Sequence, residues 1–139
     1  MEANPLAKMM NPRSIAIYGA SDNATSVGGR MFANLKADGF EGKMYPINPK
    51  HKKVSGLACF PSATAVGEDI DLAVIATPAR TVPGIIRDCG EAGIKNAIIL
   101  SAGFGEGGGE GKEYETELIS AAKRAGVRFM GPNCVGLVR

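Results

Sequence analysis

The stretch Ser14-Ile15-Ala16-Ile17-Tyr18-Gly19-Ala20-Ser21, continued by Asp22-Asn23-Ala24-Thr25-Ser26 and Val27-Gly28-Gly29-Arg30, decides the architecture. A short apolar strand runs into a loop of small polar residues and from there into a helix start. Parallel α/β domains build a phosphate-binding turn in this way. Gly19 permits a sharp turn where a Cβ would clash. Gly28 and Gly29 let a ligand, or the strand behind, approach the first helical turn closely. The free N–H groups and partial positive charge of a helix start suit an anion. A glycine-rich connection with no ligand has the same look at this one place. The loop between Gly19 and Gly28 is also longer than G-x-G-x-x-G requires, so the turn announces a phosphate and leaves its owner open.

Working outward, residues 4–10 read as a helical or coiled lead-in that ends at Asn11-Pro12. Over 28–38, Met31, Phe32 and Leu35 recur at helical spacing, with Gly39 as the stop. Residues 43–47 form a second strand leading to Asn48-Pro49-Lys50. The segment 53–56 reads as a turn or minor strand, and 61–66 as a short helix. The near-continuous apolar run 71–77 is the pattern of a strand covered on both faces. A helix over 81–92 follows, with Val82, Ile85, Ile86 and Cys89 on one face. Another buried strand spans 95–100, and a helix spans 113–125 with Leu118, Ile119 and Ala122 inward. The last strand is 127–130.

Strands alternating with helices at this spacing predict an α/β fold, a Rossmann-like doubly wound parallel sheet with right-handed crossovers. The expected organisation is a single domain over 1–139, with 1–12 as its lead-in. Gly19-Ala20-Ser21, Asn48-Pro49-Lys50, Thr77-Pro78-Ala79, Ser101-Ala102-Gly103-Phe104 and Gly131-Pro132-Asn133 each follow a strand. In such a sheet all strand ends of that kind lie on one edge, where ligands bind at the topological switch point. Turn chemistry alone does not readily place five such motifs there.

Composition excludes several classes. The chain has 139 residues, 45% of them hydrophobic and 22% charged, which is globular rather than disordered. A net charge of +2 gives no case for nucleic acid or an anionic membrane. With eight aromatic side chains (three Tyr, five Phe) and no Trp, there is no stacking platform for single-stranded nucleic acid. No apolar run has the length of a membrane span, and the expected location is the cytoplasm. Cys59, Cys89 and Cys134 are odd in number and widely spaced, so neither disulfides nor a zinc site is expected. No paired carboxylates, Ser-His-Asp set or metal-ligand cluster stands out, and no catalytic or metal-binding residue is expected in this chain.

The loop after the second strand narrows the ligand. A protein reading NAD places Asp or Glu there for the ribose 2′-hydroxyl. Here the position holds Asn48-Pro49-Lys50, followed by His51-Lys52-Lys53. A carboxylate is absent and cations cluster, so the expected ribose carries a phosphate. NADP, with its 2′-phosphate, and coenzyme A, with its 3′-phosphate, both satisfy this. Lys50, beside the constrained Pro49, is the expected phosphate contact, while Lys52 and Lys53 read as solvated.

The five strand-end motifs in register, with Val27-Gly28-Gly29, Tyr45-Pro46-Ile47 before Asn48 and Cys134-Val135-Gly136 after Asn133, closely resemble the N-terminal CoA-binding domain of NDP-forming acyl-CoA synthetases. These are relatives of the succinyl-CoA synthetase α subunit. The same domain opens certain bacterial protein lysine acetyltransferases. The resemblance covers residues 11–139. It implies coenzyme A or acyl-CoA as ligand, and a parent enzyme that joins an acid to CoA while cleaving ATP to ADP and phosphate. Alternatives are a non-catalytic CoA-sensing domain of a protein acetyltransferase or a stand-alone CoA binder. An NADP-binding reductase fragment is the remotest.

By the same resemblance, Gly19, Ala20, Ser21, Val27 and Gly28 match contacts to the CoA diphosphate. Asn48, Pro49 and Lys50 match the 3′-phosphate and ribose pocket. Thr77, Pro78 and Ala79 match the loop flanking adenosine and pantetheine; Leu100, Ser101 and Ala102 match the loop along the pantetheine arm. Asn133 lies in the segment closing the thiol end. The phosphorylated histidine of the relatives belongs to a later domain and is not matched by His51. The ligase and ATP-grasp domains are absent from this sequence and are the implied partners.

Four features lie outside the motif's needs. Asp22 places a carboxylate inside a phosphate loop, where it is expected to cap a turn and point away. Arg30 either reaches a phosphate or is solvated. The glycine-rich run 103–111 reads as a mobile surface loop, and Cys134 as a buried, inert thiol.

Overall fold

Every residue of Ser14–Tyr18 (β1) is buried, which is why its sequence is apolar without alternation. A computed structural model describes residues 11–23, 25–101 and 110–131. Chain order continues with a helix at Val27–Ala37 (α1), a strand at Lys43–Ile47 (β2), and a hairpin of Lys53–Val54 (β3) and Leu57–Ala58 (β4). Leu72–Ile75 (β5), a 3-10 turn at Ala79–Thr81 and a helix at Val82–Glu91 (α2) follow. Asn96–Ile99 (β6), Glu110–Ala125 (α3) and Arg128–Met130 (β7) complete the described elements.

The main sheet has five strands in the order β2-β1-β5-β6-β7, every pair parallel. The chain moves outward from β1 to β2, then crosses back to β5 on the other side. The order therefore reverses between β1 and β5, and this is the switch point. Strand alternation divides the core into two layers. Ala16, Tyr18, Ala73, Ile75, Ala97 and Ile99 face α2 and α3, packing on Val82, Ile86, Cys89 and Leu118. Ile15, Ile17, Leu72 and Val74 face α1 and pack on Phe32. Doubly wound α/β is thus the observed architecture.

Two local expectations are corrected. Residues 61–66 form bends and a turn, not a helix. The Asp88 carboxylate on α2 takes the N–H groups of Ala63 and Thr64, at 2.7 and 3.4 Å, and fixes the segment as a turn. Ile119 does not point inward but is 44% exposed, because α3 packs on one side only and its neighbour Leu118 occupies that side. The 53–56 segment becomes a hairpin, paired antiparallel through Lys53–Ala58 and Val54–Leu57. The lead-in over 4–10, most of the glycine-rich run and Cys134 lie outside the described residues.

Candidate functional site

The phosphate loop is built from its own side chains. Gly19 has φ +91°, and its N–H donates to Ile47 O at 2.9 Å, so the end of β1 is tied to the end of β2. Ser26 caps α1: its Oγ accepts from Gly29 N at 3.0 Å and donates to Asn23 O at 2.9 Å. That leaves the Ser21 hydroxyl to donate across the 3.2 Å to Ser26, while it accepts from Asn23 N. Arg30 N is taken by Ser26 O. Of the four N–H groups heading the helix, Val27 and Gly28 keep theirs free of any partner among the described residues. Val27 is 46% exposed, so this end opens to solvent. A pair of backbone donors at a helix head is an anion site.

Asn48 builds the second loop. Its Nδ2 donates to Ala20 O at 3.0 Å and its Oδ1 accepts from Lys50 N at 2.9 Å. Both ends of the amide are thus spent on structure, joining the phosphate loop to the Lys50 loop. Cys59 packs beneath, with Sγ 3.6 Å from Asn48 O, and burial pushes its thiol pKa up.

A cavity of about 610 Å³ opens between these loops and the turn after β5. Gly19, Asn48, Pro49, Lys50, Thr77 and Pro78 line it. So does Arg80, which the sequence analysis passed over although it stands two residues beyond Pro78. Lys50 and Arg80 have no carboxylate partner among the described residues. Thr81 Oγ1, 2.7 Å from Thr77 Oγ1 and 2.6 Å from Pro78 O, holds the 3-10 turn that presents Arg80. Ile47, Ile85, Pro49 and Pro78 supply apolar wall.

The other expected residues sit differently. Ala20 and Ala79 are buried, so each offers only backbone to the edge. Ser21, Val27 and Gly28 are not among the residues that line the cavity. Leu100 packs in the α1-side layer, and Ser101 is buried 3.5 Å from Ile75 O. Ala102 and Asn133 lie outside the described residues. A larger cavity, about 1180 Å³, occupies the opposite edge of the sheet beside Arg13, Lys43, Asp69 and Asp71. It contains none of the strand-end loops and mixes both charges, so it lacks the chemistry of an anion site.

One wall of the smaller cavity depends on Asp88. Besides the two N–H groups, its carboxylate accepts from Tyr18 Oη at 2.7 Å and Thr64 Oγ1 at 3.1 Å. Cys89 Sγ lies 3.6 Å from the same phenol oxygen. Burial, reinforced by Cys89 and Asp88, raises the Tyr18 pKa far above its ordinary value. Burial likewise pushes the Cys89 thiol up to about 12. The phenol and the thiol stay protonated, while the Asp88 carboxylate, through Ala63 and Thr64, fixes the turn whose Pro61 and Ser62 line the cavity.

A family model described as CoA binding domain matches residues 13–139. The chain belongs to this CoA-binding domain family. Of the two phosphorylated nucleotides left open by the β2 loop, membership selects coenzyme A. The CoA-binding domain is 45% identical over 127 residues to an ADP-forming acetate–CoA ligase of Methanocaldococcus jannaschii, covering 91% of this chain and 18% of that protein. It is 41% identical over 133 residues to ADP-forming acetate–CoA ligase II of Archaeoglobus fulgidus, covering 96% of this chain and 20% of that protein. Among solved structures, the dinucleotide-forming acetyl-coenzyme A synthetase 1 of Ca. Korarchaeum cryptofilum superposes with a TM-score of 0.86 at 42% identity, over 92% of this chain and 28% of that one. The CoA-binding domain therefore spans 18–28% of the length of these relatives.

The helix head with its two N–H groups free among the described residues has the chemistry of an anion site, and the cavity combines two cations with apolar wall. No helix among the described residues is long and apolar enough to cross a membrane.

Proposed function

We propose that this domain holds coenzyme A for an ADP-forming acyl-CoA synthetase, the reaction in which an acid, CoA and ATP give acyl-CoA, ADP and phosphate. The observation that carries the reading is the cavity at the switch point, where Lys50 and Arg80 stand on opposite sides of the β1–β5 reversal among apolar walls. The relatives named as acetate–CoA ligases support the reaction class. The ligase and ATP-grasp domains, with the phosphorylated histidine, would belong to the remainder of a longer enzyme.

Bound CoA supplies a thiol as nucleophile, and this chain binds and orients it. The N–H groups of Val27 and Gly28 take the diphosphate, with Gly19, Ala20 and Ser21 shaping the turn behind. Lys50 and Arg80 take the 3′-phosphate, Arg80 with a planar fork suited to phosphate oxygens. Asn48 acts by fixing the Lys50 loop, and Pro49 by shaping the pocket. Thr77, Pro78 and the Ala79 backbone flank the adenosine and pantetheine path. Leu100 and Ser101 border the pantetheine arm, and the family resemblance assigns Ala102 to the same arm and Asn133 to the thiol end. A cytoplasmic setting is supported by the free thiols of Cys59 and Cys89.

Calorimetric titration with CoA, dephospho-CoA and NADP tests the reading. At about 100 times its dissociation constant, CoA should add roughly 2.7 kcal/mol of stability, raising the melting temperature by several degrees. Lys50→Ala should weaken CoA about tenfold or more and dephospho-CoA far less, since a charge-assisted contact is lost only where the phosphate exists. A response to NADP with none to CoA would sink the assignment. Equal losses for both CoA forms would remove the 3′-phosphate role.

A further inference from the structure

Asp22 is a carboxylate inside a loop built for anions, and its contacts show where that charge is directed. Its Oδ1 accepts from Ser55 N at 2.8 Å and lies 3.4 Å from the Ser55 hydroxyl. Ser55 and Gly56 are the two-residue turn of the β3–β4 hairpin, with φ of 51° and 81°. Both values belong to the turn type that matches strand twist, and serine is an unusual occupant of the first position. Lys36 Nζ on α1 donates to Ser55 O at 3.2 Å. The backbone N–H and C=O of Ser55 are thus held by the phosphate loop and by α1.

The other end of the hairpin is fastened to the Lys50 loop. Cys59 N donates to Lys52 O and Asn48 N to Phe60 O, each at 2.9 Å. Between the two ends, Val54 is fully buried among Ile15, Ile17 and Phe32. The hairpin therefore runs as a strap from the Lys50 loop to the tip of the phosphate loop.

We infer that Asp22 is a positioning residue: latched onto Ser55, it anchors the phosphate loop, and with it the diphosphate subsite, on the hairpin strap. The inference rests on the subsites assigned under Proposed function. It makes the carboxylate useful where a free charge would only repel the ligand. It also distinguishes Asp22 from Lys50, because a positioning residue acts on the diphosphate whether or not the 3′-phosphate is present.

The test is calorimetric titration of CoA and dephospho-CoA into the 139-residue chain and its Asp22→Ala and Asp22→Asn variants. Asparagine keeps an oxygen to accept from Ser55 N, and alanine removes it. Asp22→Ala is expected to weaken both ligands about tenfold, leaving their affinity ratio at the wild-type value, while Asp22→Asn stays within about twofold of wild type. Alanine binding like wild type overturns the latch. So does asparagine as weak as alanine, or tighter binding by both variants, which would mean that Asp22 acts through its charge. Wild-type chain that binds neither ligand would bring down the subsite reading itself, and the latch with it. If Asp22→Ala does not fold, amide exchange at Ser55 in the wild-type chain decides. CoA should slow it about fivefold or more, and an unchanged rate overturns the inference.

Discussion

Gly28 sits where a side chain has no room. A Cβ there would stand 2.2 Å from the Gly19 carbonyl oxygen and 2.6 Å from its carbon. Both are backbone atoms, so a substitution must push the head of α1 away from the end of β1. Gly28→Ala is expected to cost about 1–3 kcal/mol in urea unfolding. CoA titration should show an added loss of affinity in the protein that remains folded, because the helix-head donors move with the backbone. The sequence marked this glycine but left open whether ligand or strand came close, and the strand end is what comes close. Asp88 was not legible at all. Its partners Tyr18 and Ala63 are 70 and 25 residues away, and a helix aspartate that gathers them looks in sequence like any solvated one. Arg80 was one residue past the quoted Thr77-Pro78-Ala79 motif, and only the 3-10 turn that continues from it brings the side chain to the cavity.

Helix α1 depends on its cap more than α2 does, since Ser26 accepts from Gly29 N while Thr81, preceding α2, makes no side-chain cap bond. Ser26→Ala should therefore cost about 1 kcal/mol, measurable by urea denaturation. It should weaken CoA and dephospho-CoA alike, because the same hydroxyl also holds the Asn23 carbonyl of the phosphate loop. The strands and helices of the main layer were readable because each buries a regular stripe or a continuous run. The β3–β4 hairpin was only half readable: its strands are two residues long, and Val54 alone among its four is buried. Leu118 and Ile119 are adjacent, and periodicity could not say that a helix covered on one side has room for just one of them.

Over the whole molecule, the Tyr18–Asp88–Cys89 cluster makes stability depend on alkaline pH. An unfolded chain loses the Cys89 proton near the ordinary thiol value of 9.0, whereas the folded chain keeps it to about 12. Above pH 9 the unfolded state thus binds fewer protons, so stability is fully present below that point and falls as pH rises. Tyr18, raised in the same direction by burial, extends the fall. Unfolding free energies measured from neutral pH to about pH 11 should show this slope, and Cys89→Ala should flatten it while lowering stability at neutral pH. The parallel sheet has a temporal consequence as well. Strand β1 is the earliest described strand yet lies inside the sheet, paired with β2 and with β5, whose register places Leu72 beside Ile15. The turn at Gly19 leans on Ala76 O, which a Cβ there would approach to 2.7 Å. As the ribosome delivers the chain from its N-terminus, the phosphate loop finds its β2-side partners Ile47 and Asn48 first, but the β5 side of the site is missing until Ala76 emerges. The nucleotide edge is therefore assembled late, and a nascent chain halted before β5 should have no grip on CoA.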